Sequence, residues 1–260
     1  MRIFIDGLYP LVEPILKKLL SDHNISHDNL LVNTYNRKEC DHVKKWMSHQ
    51  KISWFESNYN RETIGIIKNF RPDIILSVYG LRIIPYEVLE LVDKDKQFNM
   101  HPSFLPDYKG RMIIPWVIIN CEQYHGITYH QMTDQIDVGN ILYQEKFFVP
   151  ESITAIDLFY LTCDYFIKSF NQVFEDLCNN SLTKYPMPEG GRYYSKNLPF
   201  DGKIDPAWSD NFVENFIRAM HFPPHKAALF EYKNKFIECK TFDEFKLLKK
   251  NIQNISQLSK

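Results

Sequence analysis

Asn99 and His101 stand two residues apart in the stretch FNMHPSFLPDYKGR, and Asp137 follows in the acidic turn TDQIDVGN. At a strand end, extended backbone points residues two apart to the same side, so the amide and the imidazole would share one face. That pair suits acyl transfer. A neutral imidazole can take a proton, and an amide N–H can steady charge that develops on a carbonyl oxygen. Asp137, directly before Val138 and Gly139, would complete the set by reaching His101 and orienting its ring. Taken singly, the three have plainer readings as a turn asparagine, a hydrogen-bonded loop histidine and a turn or cap carboxylate. His130 could face the same site from its strand or serve as a satisfied structural histidine. If His101 belongs to a loop, truncating it to alanine would leave the fold intact.

Other chemistries find less support. There is no GxGxxG or Walker pattern, and Gly7 is a lone glycine after the first strand, which argues against a dinucleotide or nucleoside-triphosphate enzyme. His221 and His225 have the spacing of a helical metal pair, but Pro223 and Pro224 between them forbid a regular helix, so no metal site is expected. Cys40, Cys121, Cys163, Cys178 and Cys239 are scattered and form no C-x-x-C pair, as expected of reduced, mostly buried thiols. A serine or cysteine hydrolase lacks its G-x-S-x-G elbow or a nucleophile motif.

The elements that must position these residues read as an α/β domain. Short apolar runs over 3–5, 30–33, 74–78 and 97–100 alternate with helical periodicity over 11–20 and 61–70, the pattern of a Rossmann-like, mostly parallel sheet with flanking helices. After Met100 comes the turn-rich HPSFLPDYKG, then an apolar helix opening near Pro115. A loop leaving a sheet strand is where α/β folds place ligands. Residues 126–130 and 141–148 read as two strands joined by the acidic turn. Thr154 and Asp157 form a capping box for a long helix to about Leu177. The texture changes over 179–206, where turn formers and aromatics concentrate. A boundary near 180 divides a catalytic domain, 1–180, from a small C-terminal α+β appendage, 181–260, that contributes to substrate binding or dimerisation. That appendage reads as a helix over 211–220, strands over 228–232 and 236–239, and a terminal helix striped by Phe245, Leu248, Ile252 and Ile255, with Lys246, Lys249, Lys250 and Lys260 as its solvated face.

Net charge is −1, from 31 basic and 32 acidic residues, so no global field gathers a phosphate polymer and nucleic acid is a disfavoured partner. No apolar run is long enough to span a bilayer, and the N-terminus reads as a strand and turn rather than a secretory signal. A cytoplasmic protein with no membrane association is therefore expected.

In order, Asn99-x-His101-Pro102-Ser103, Leu105-Pro106, Tyr108-Lys109-Gly110 and Asp137-x-Gly139-x-Ile141 resemble the formyltransferase family that includes methionyl-tRNA, glycinamide-ribonucleotide and nucleotide-sugar formyltransferases. The resemblance covers residues 72–145, with a looser match over the rest of the N-terminal domain. It implies a folate-dependent N-formyltransferase with 10-formyltetrahydrofolate as donor and Asn99, His101 and Asp137 as catalytic residues. In the implied mechanism His101 accepts the proton of the attacking amine, Asn99 steadies the oxyanion, and Asp137 aids His101 and proton delivery to the departing folate nitrogen. It also implies a folate site on Tyr79, Gly80, Leu81 and Ile84, and on Asp134 and Ile136 of the acidic turn.

Three branches compete for the amine. The transfer-RNA branch typically carries a longer, more basic C-terminal domain, and the glycinamide-ribonucleotide branch a glycine-rich phosphate loop where this chain has Asp6-Gly7-Leu8-Tyr9-Pro10. Gly191-Arg192-Tyr193-Tyr194-Ser195-Lys196, then Asp201-Gly202-Lys203-Ile204-Asp205, resemble the nucleotide-sugar branch, as does Arg218-Ala219-Met220-His221-Phe222-Pro223-Pro224. That branch implies Tyr193, Tyr194, Lys196, Phe222 and Pro223 as substrate-binding residues. Rings would stack on the base and cations would meet the diphosphate, although the same rings could simply pack the small domain. The preferred substrate is dTDP-4-amino-4,6-dideoxyglucose or a similar dideoxyhexose, in a homodimeric enzyme of O-antigen (lipopolysaccharide) biosynthesis. A catalytically inactive binding module of the same fold is the alternative from another class.

Overall fold

The computed structural model describes residues 1–258, with side chains described as far as Ile252. Its elements begin with β1 (Ile3–Gly7), α1 (Val12–Ser21), β2 (Leu30–Thr34), α2 (Asp41–His49), β3 (Ser53–Glu56), α3 (Arg61–Phe70), β4 (Ile74–Val78) and α4 (Tyr86–Leu89). They continue with β5 (Gln97–His101), β6 (Lys109–Gly110), α5 (Ile113–Ile119), β7 (Tyr124–His130), β8 (Ile141–Phe148) and α6 (Ala155–Cys178). Last come β9 (Tyr193–Tyr194), β10 (Lys203–Ile204), α7 (Asp210–Met220), β11 (Ala228–Tyr232), β12 (Lys235–Cys239) and α8 (Phe242–Leu258).

Two compact units divide the chain. The first comprises residues 1–109, 126–146 and 162–192. Its sheet has the order β3-β2-β1-β4-β5-β7-β8, parallel from β3 through β5, with β7 antiparallel to β5. Every residue of β1, β2 and β4 is buried, as expected of parallel strands covered on both faces. On one face Phe4, Leu31 and Ile75 pack with Ile64 and Ile67 of α3 and Val88 and Leu89 of α4. Elsewhere Phe98 and Tyr129 meet edge to face, and Tyr129 packs on Phe166 of α6 while its hydroxyl donates to the Phe166 carbonyl. In the second unit, the box foreseen at Thr154 is formed, with the Asp157 amide donating to Thr154 Oγ1 at 3.4 Å.

The sequence reading passed over α2 and β3 for a physical reason. β3 is a four-residue edge strand with both ends exposed, and α2 buries only Val43 and Met47, so neither carries a sustained apolar period.

The second unit comprises residues 110–125, 147–161 and 193–260. It pairs β11 with β10 in parallel and with β12 in an antiparallel hairpin. The turn residues Lys233 and Asn234 both have positive φ, as a two-residue primed turn requires. Phe245 of α8 is buried against Phe230, Leu248 is half-buried, and the side chains of Ile255 and Lys260 lie outside the described residues. Among the described residues no helix is long and apolar enough to cross a membrane.

Candidate active site

The antiparallel register of β5 and β7 assembles the site. Asn99 lies opposite His130 and His101 opposite Thr128, so two neighbouring strands supply an amide and two imidazoles to one place. Asn99 Nδ2 is 3.0 Å from His130 Nε2. His130 Nδ1 is 2.8 Å from the Gln131 carbonyl, a group that can only accept, so Nδ1 carries a hydrogen and Nε2 is left to accept from Asn99.

His101 closes β5 rather than opening a loop, and it is only 3% exposed. The expectation that it could be truncated as a loop residue is therefore revised. Its Nε2 donates to the Tyr108 carbonyl at 2.9 Å, which leaves Nδ1 facing Asp137 Oδ1 at 3.3 Å. With Nε2 committed to Tyr108, an imidazole nitrogen and a carboxylate oxygen at this distance form a unit that can take up and release a single proton. Burial pushes the His101 imidazole below its ordinary value and the Asp137 charge opposes that shift. Asp137 Oδ1 is also 3.5 Å from His130 Nε2, so this 7%-exposed carboxylate sits between both rings.

Asp137 has φ 55, a left-handed backbone that aspartate tolerates better than most residues. Its turn is tied at the base: the Gln131 amide donates to the Asn140 carbonyl at 2.8 Å, Asn140 Nδ2 to Gln131 Oε1 at 3.0 Å, and Gln131 Nε2 to Asp95 Oδ1 at 2.7 Å. Gly139 explains the Asp-x-Gly spacing, since a Cβ there would lie 1.9 Å from the Gln131 carbonyl oxygen. Gly139→Ala is accordingly expected to cost about 1–3 kcal/mol and to lower turnover by moving Asp137, as thermal melting and steady-state rates would register.

The loop after His101 is held just as firmly. Ser103 Oγ donates to the Asp107 carbonyl at 2.8 Å, Thr128 Oγ1 donates to the Ser103 carbonyl at 2.6 Å and accepts from the Leu105 amide, and Gln144 Nε2 donates to the Leu105 carbonyl. The carbonyl of Tyr108, which orients His101, is thus fixed from several directions. Arg192 extends the brace, pairing with Asp107 at 3.2 Å and lying over the Tyr108 ring. Spacing alone left His130 undecided and gave no sign of Thr128 or Gln144, because their nearness to His101 depends on strand pairing.

Tyr79 and Gly80 follow β4 in a turn pressed onto the strand ends: a Cβ on Gly80 would meet Ser77 Oγ at 2.6 Å. Tyr79 is half-buried with positive φ, and the Leu81 amide donates to the Tyr35 hydroxyl at 2.5 Å. Ile84 is buried in the core with Val88, whereas its neighbour Ile83, which sequence reasoning passed over, is 63% exposed. Asp134 and Ile136 are exposed at the tip of the acidic turn, and Met132 of the same turn packs against the cluster that holds Ile84.

In the second unit Tyr193 is 62% exposed and Lys196 is exposed. Tyr194 is half-buried, stacking near Trp116 at 5.2 Å and accepting a hydrogen bond from Asn120. Phe222 packs instead on Phe159 at 5.3 Å, and Pro223 beside it is exposed, so the two groups of residues rest on different supports.

The sequence pattern described as formyl transferase matches residues 24–159. Over 184 residues the chain is 37% identical to the GDP-perosamine N-formyltransferase of Brucella melitensis, covering 71% of this chain and 70% of that one. Among solved structures, an N-formyltransferase from Helicobacter canadensis, in complex with folinic acid and dTDP-3-aminofucose, superimposes with a TM-score of 0.75 at 23% identity, covering 91% of this chain and 86% of that one. A 4-N formyltransferase from Francisella tularensis gives a TM-score of 0.72 at 22% identity, covering 92% of this chain and 97% of that one.

Proposed function

The chain belongs to the formyl transferase family, and from that premise we propose that it transfers a formyl group from 10-formyltetrahydrofolate to the amine of a nucleotide-linked amino-sugar. The observation that carries the reading is the approach of His101 Nδ1 to Asp137 Oδ1, at 3.3 Å in a buried place, beside the amide of Asn99. An acyl transfer between two nitrogens needs such a unit, because one nitrogen must lose a proton and the other must gain one.

The donor, when bound, supplies an activated formyl carbon. Tyr79, Gly80 and Leu81, with Asp134 and Ile136, are the residues that would hold it; the exposed apolar side chains of Ile83 and Ile136 fit a flat, largely apolar ring system. Asn99 Nδ2 has two hydrogens, of which His130 takes one, and the second steadies the charge that builds on the formyl oxygen. The His101–Asp137 pair takes the proton of the attacking amine as its bond to the formyl carbon forms. The pair then releases a proton to the donor nitrogen as the older carbon–nitrogen bond breaks. His101 stays oriented throughout by its hydrogen bond to Tyr108.

Within residues 181–260, the exposed ring of Tyr193 and the cation of Lys196 suit a nucleotide base and a diphosphate. The first substrate to try is dTDP-4-amino-4,6-dideoxyglucose. GDP-perosamine joins it, because the Brucella relative is named for that sugar nucleotide. The decisive experiment incubates the protein with 10-formyltetrahydrofolate and a panel of dTDP- and GDP-linked amino-sugars, reading the mass gained by formylation. A gain on one sugar nucleotide is the expected result, and no gain on any would overturn the reading.

A further inference from the structure

Asp6, at the end of β1, is the most deeply buried carboxylate of the first unit, with no exposed surface, and the proton transfer above does not use it. Four groups converge on it. Tyr35 Oη donates to Oδ1 at 2.9 Å, Tyr59 Oη to Oδ2 at 2.5 Å and Asn33 Nδ2 to Oδ2 at 3.0 Å, while the Arg82 guanidinium lies 3.8 Å from Oδ2. Burial pushes the carboxyl up from its ordinary value, and Arg82 and the three donors oppose it. Each of those three hydrogen bonds is a donor pointing at an acceptor, which is the arrangement a carboxylate satisfies. A buried ion pair of this kind is a poor source of stability compared with apolar packing. What it does supply is fixed geometry.

That geometry is transmitted by Tyr35. Its hydroxyl accepts from the backbone amides of Leu81, at 2.5 Å, and Arg82, at 3.1 Å. With both acceptor sites filled, the single O–H must point at Asp6, so the phenol is a saturated three-way junction between β1, β2 and the turn after β4. Arg82 closes the arrangement: its guanidinium lies 3.7 Å from the centre of the Tyr35 ring and donates to the Thr34 and Ser57 carbonyls. Gly80 completes the fit, since a Cβ there would also meet Asp6 Oδ1 at 3.3 Å.

We propose that Asp6 and Tyr35 are positioning residues that clamp the 79–84 turn in the shape that receives the reduced folate. Neither touches the ligand. Asp6 fixes the phenol, the phenol fixes two consecutive amides of the turn, and the turn presents its outer face. This rests on the reading that the turn binds folate, and the test keeps the two apart.

Tyr35→Phe preserves the ring under Arg82 and removes only the junction oxygen. It is expected to raise the folinic acid dissociation constant and the KM for 10-formyltetrahydrofolate about tenfold, with kcat and the sugar-nucleotide KM within about twofold of wild type. Tyr59→Phe removes a bond to the same carboxylate and keeps the ring in its core cluster with Ile84 and Val88, taking no hydrogen bond from the turn, and is expected to lower the melting temperature while leaving folate affinity within about twofold. An unchanged folate constant in folded Tyr35→Phe, or an equal rise in Tyr59→Phe, would overturn the clamp alone. Failure of the wild-type protein to bind folinic acid would overturn the folate reading and the clamp together.

Discussion

Asp137→Asn is expected to lower kcat by about three orders of magnitude while the protein melts near the wild-type temperature. The fold should tolerate the change because asparagine, like aspartate, accepts the left-handed backbone at φ 55 and is nearly the same size. The chemistry should not. Oδ1 faces His101 Nδ1 at 3.3 Å and His130 Nε2 at 3.5 Å, and an amide in that position can neither take up nor release a proton between them. Steady-state turnover with both substrates saturating, beside a melting curve, makes the test; a folded variant within tenfold of wild type would reject the assigned role.

His101 calls for two variants, because the structure gives it two tasks. His101→Ala removes the imidazole from the proton-transfer pair and strips the Tyr108 carbonyl of its donor in a buried place. It should therefore abolish measurable transfer and also lower stability by about 1–3 kcal/mol. Taken alone, that result would leave chemistry and folding entangled. His101→Gln separates them: the glutamine amide can reach the position of Nε2 and donate to Tyr108, but it has no basic nitrogen to offer Asp137. A near-native melting temperature with turnover down about a thousandfold is the expected result, and retention of a tenth or more of the activity would refute the proton-transfer role.

Asn99 and His101 were legible as neighbours because a period of two places both on one face of a strand, whereas Asp137 joined them through the ordered motifs that resemble the formyltransferase family. The apolar runs of β1, β2 and β4 were legible because strands covered on both sides must be apolar throughout. His130 stayed ambiguous for the opposite reason. Its place opposite Asn99 follows from the pairing of β5 with β7, whose register is a property of the folded sheet. The Asp6 junction was out of reach altogether: its donors, Asn33, Tyr35 and Tyr59, lie 27, 29 and 53 residues away in sequence and form no local pattern. His101 was assigned to a loop because strand ends are weakly marked, and the proline and serine that follow begin the turn signal one residue too early.

The turn that carries Asp137 has a practical side. It is cinched at its base by Gln131, Asn140 and the close backbone crossing at Gly139, whereas its tip, residues 133–136, is exposed. For protein engineering, that separates an adjustable part from a fixed one. Libraries confined to the tip would vary what the turn presents to a ligand, and the knot beneath would keep the Asp137 carboxylate in register with its two histidines.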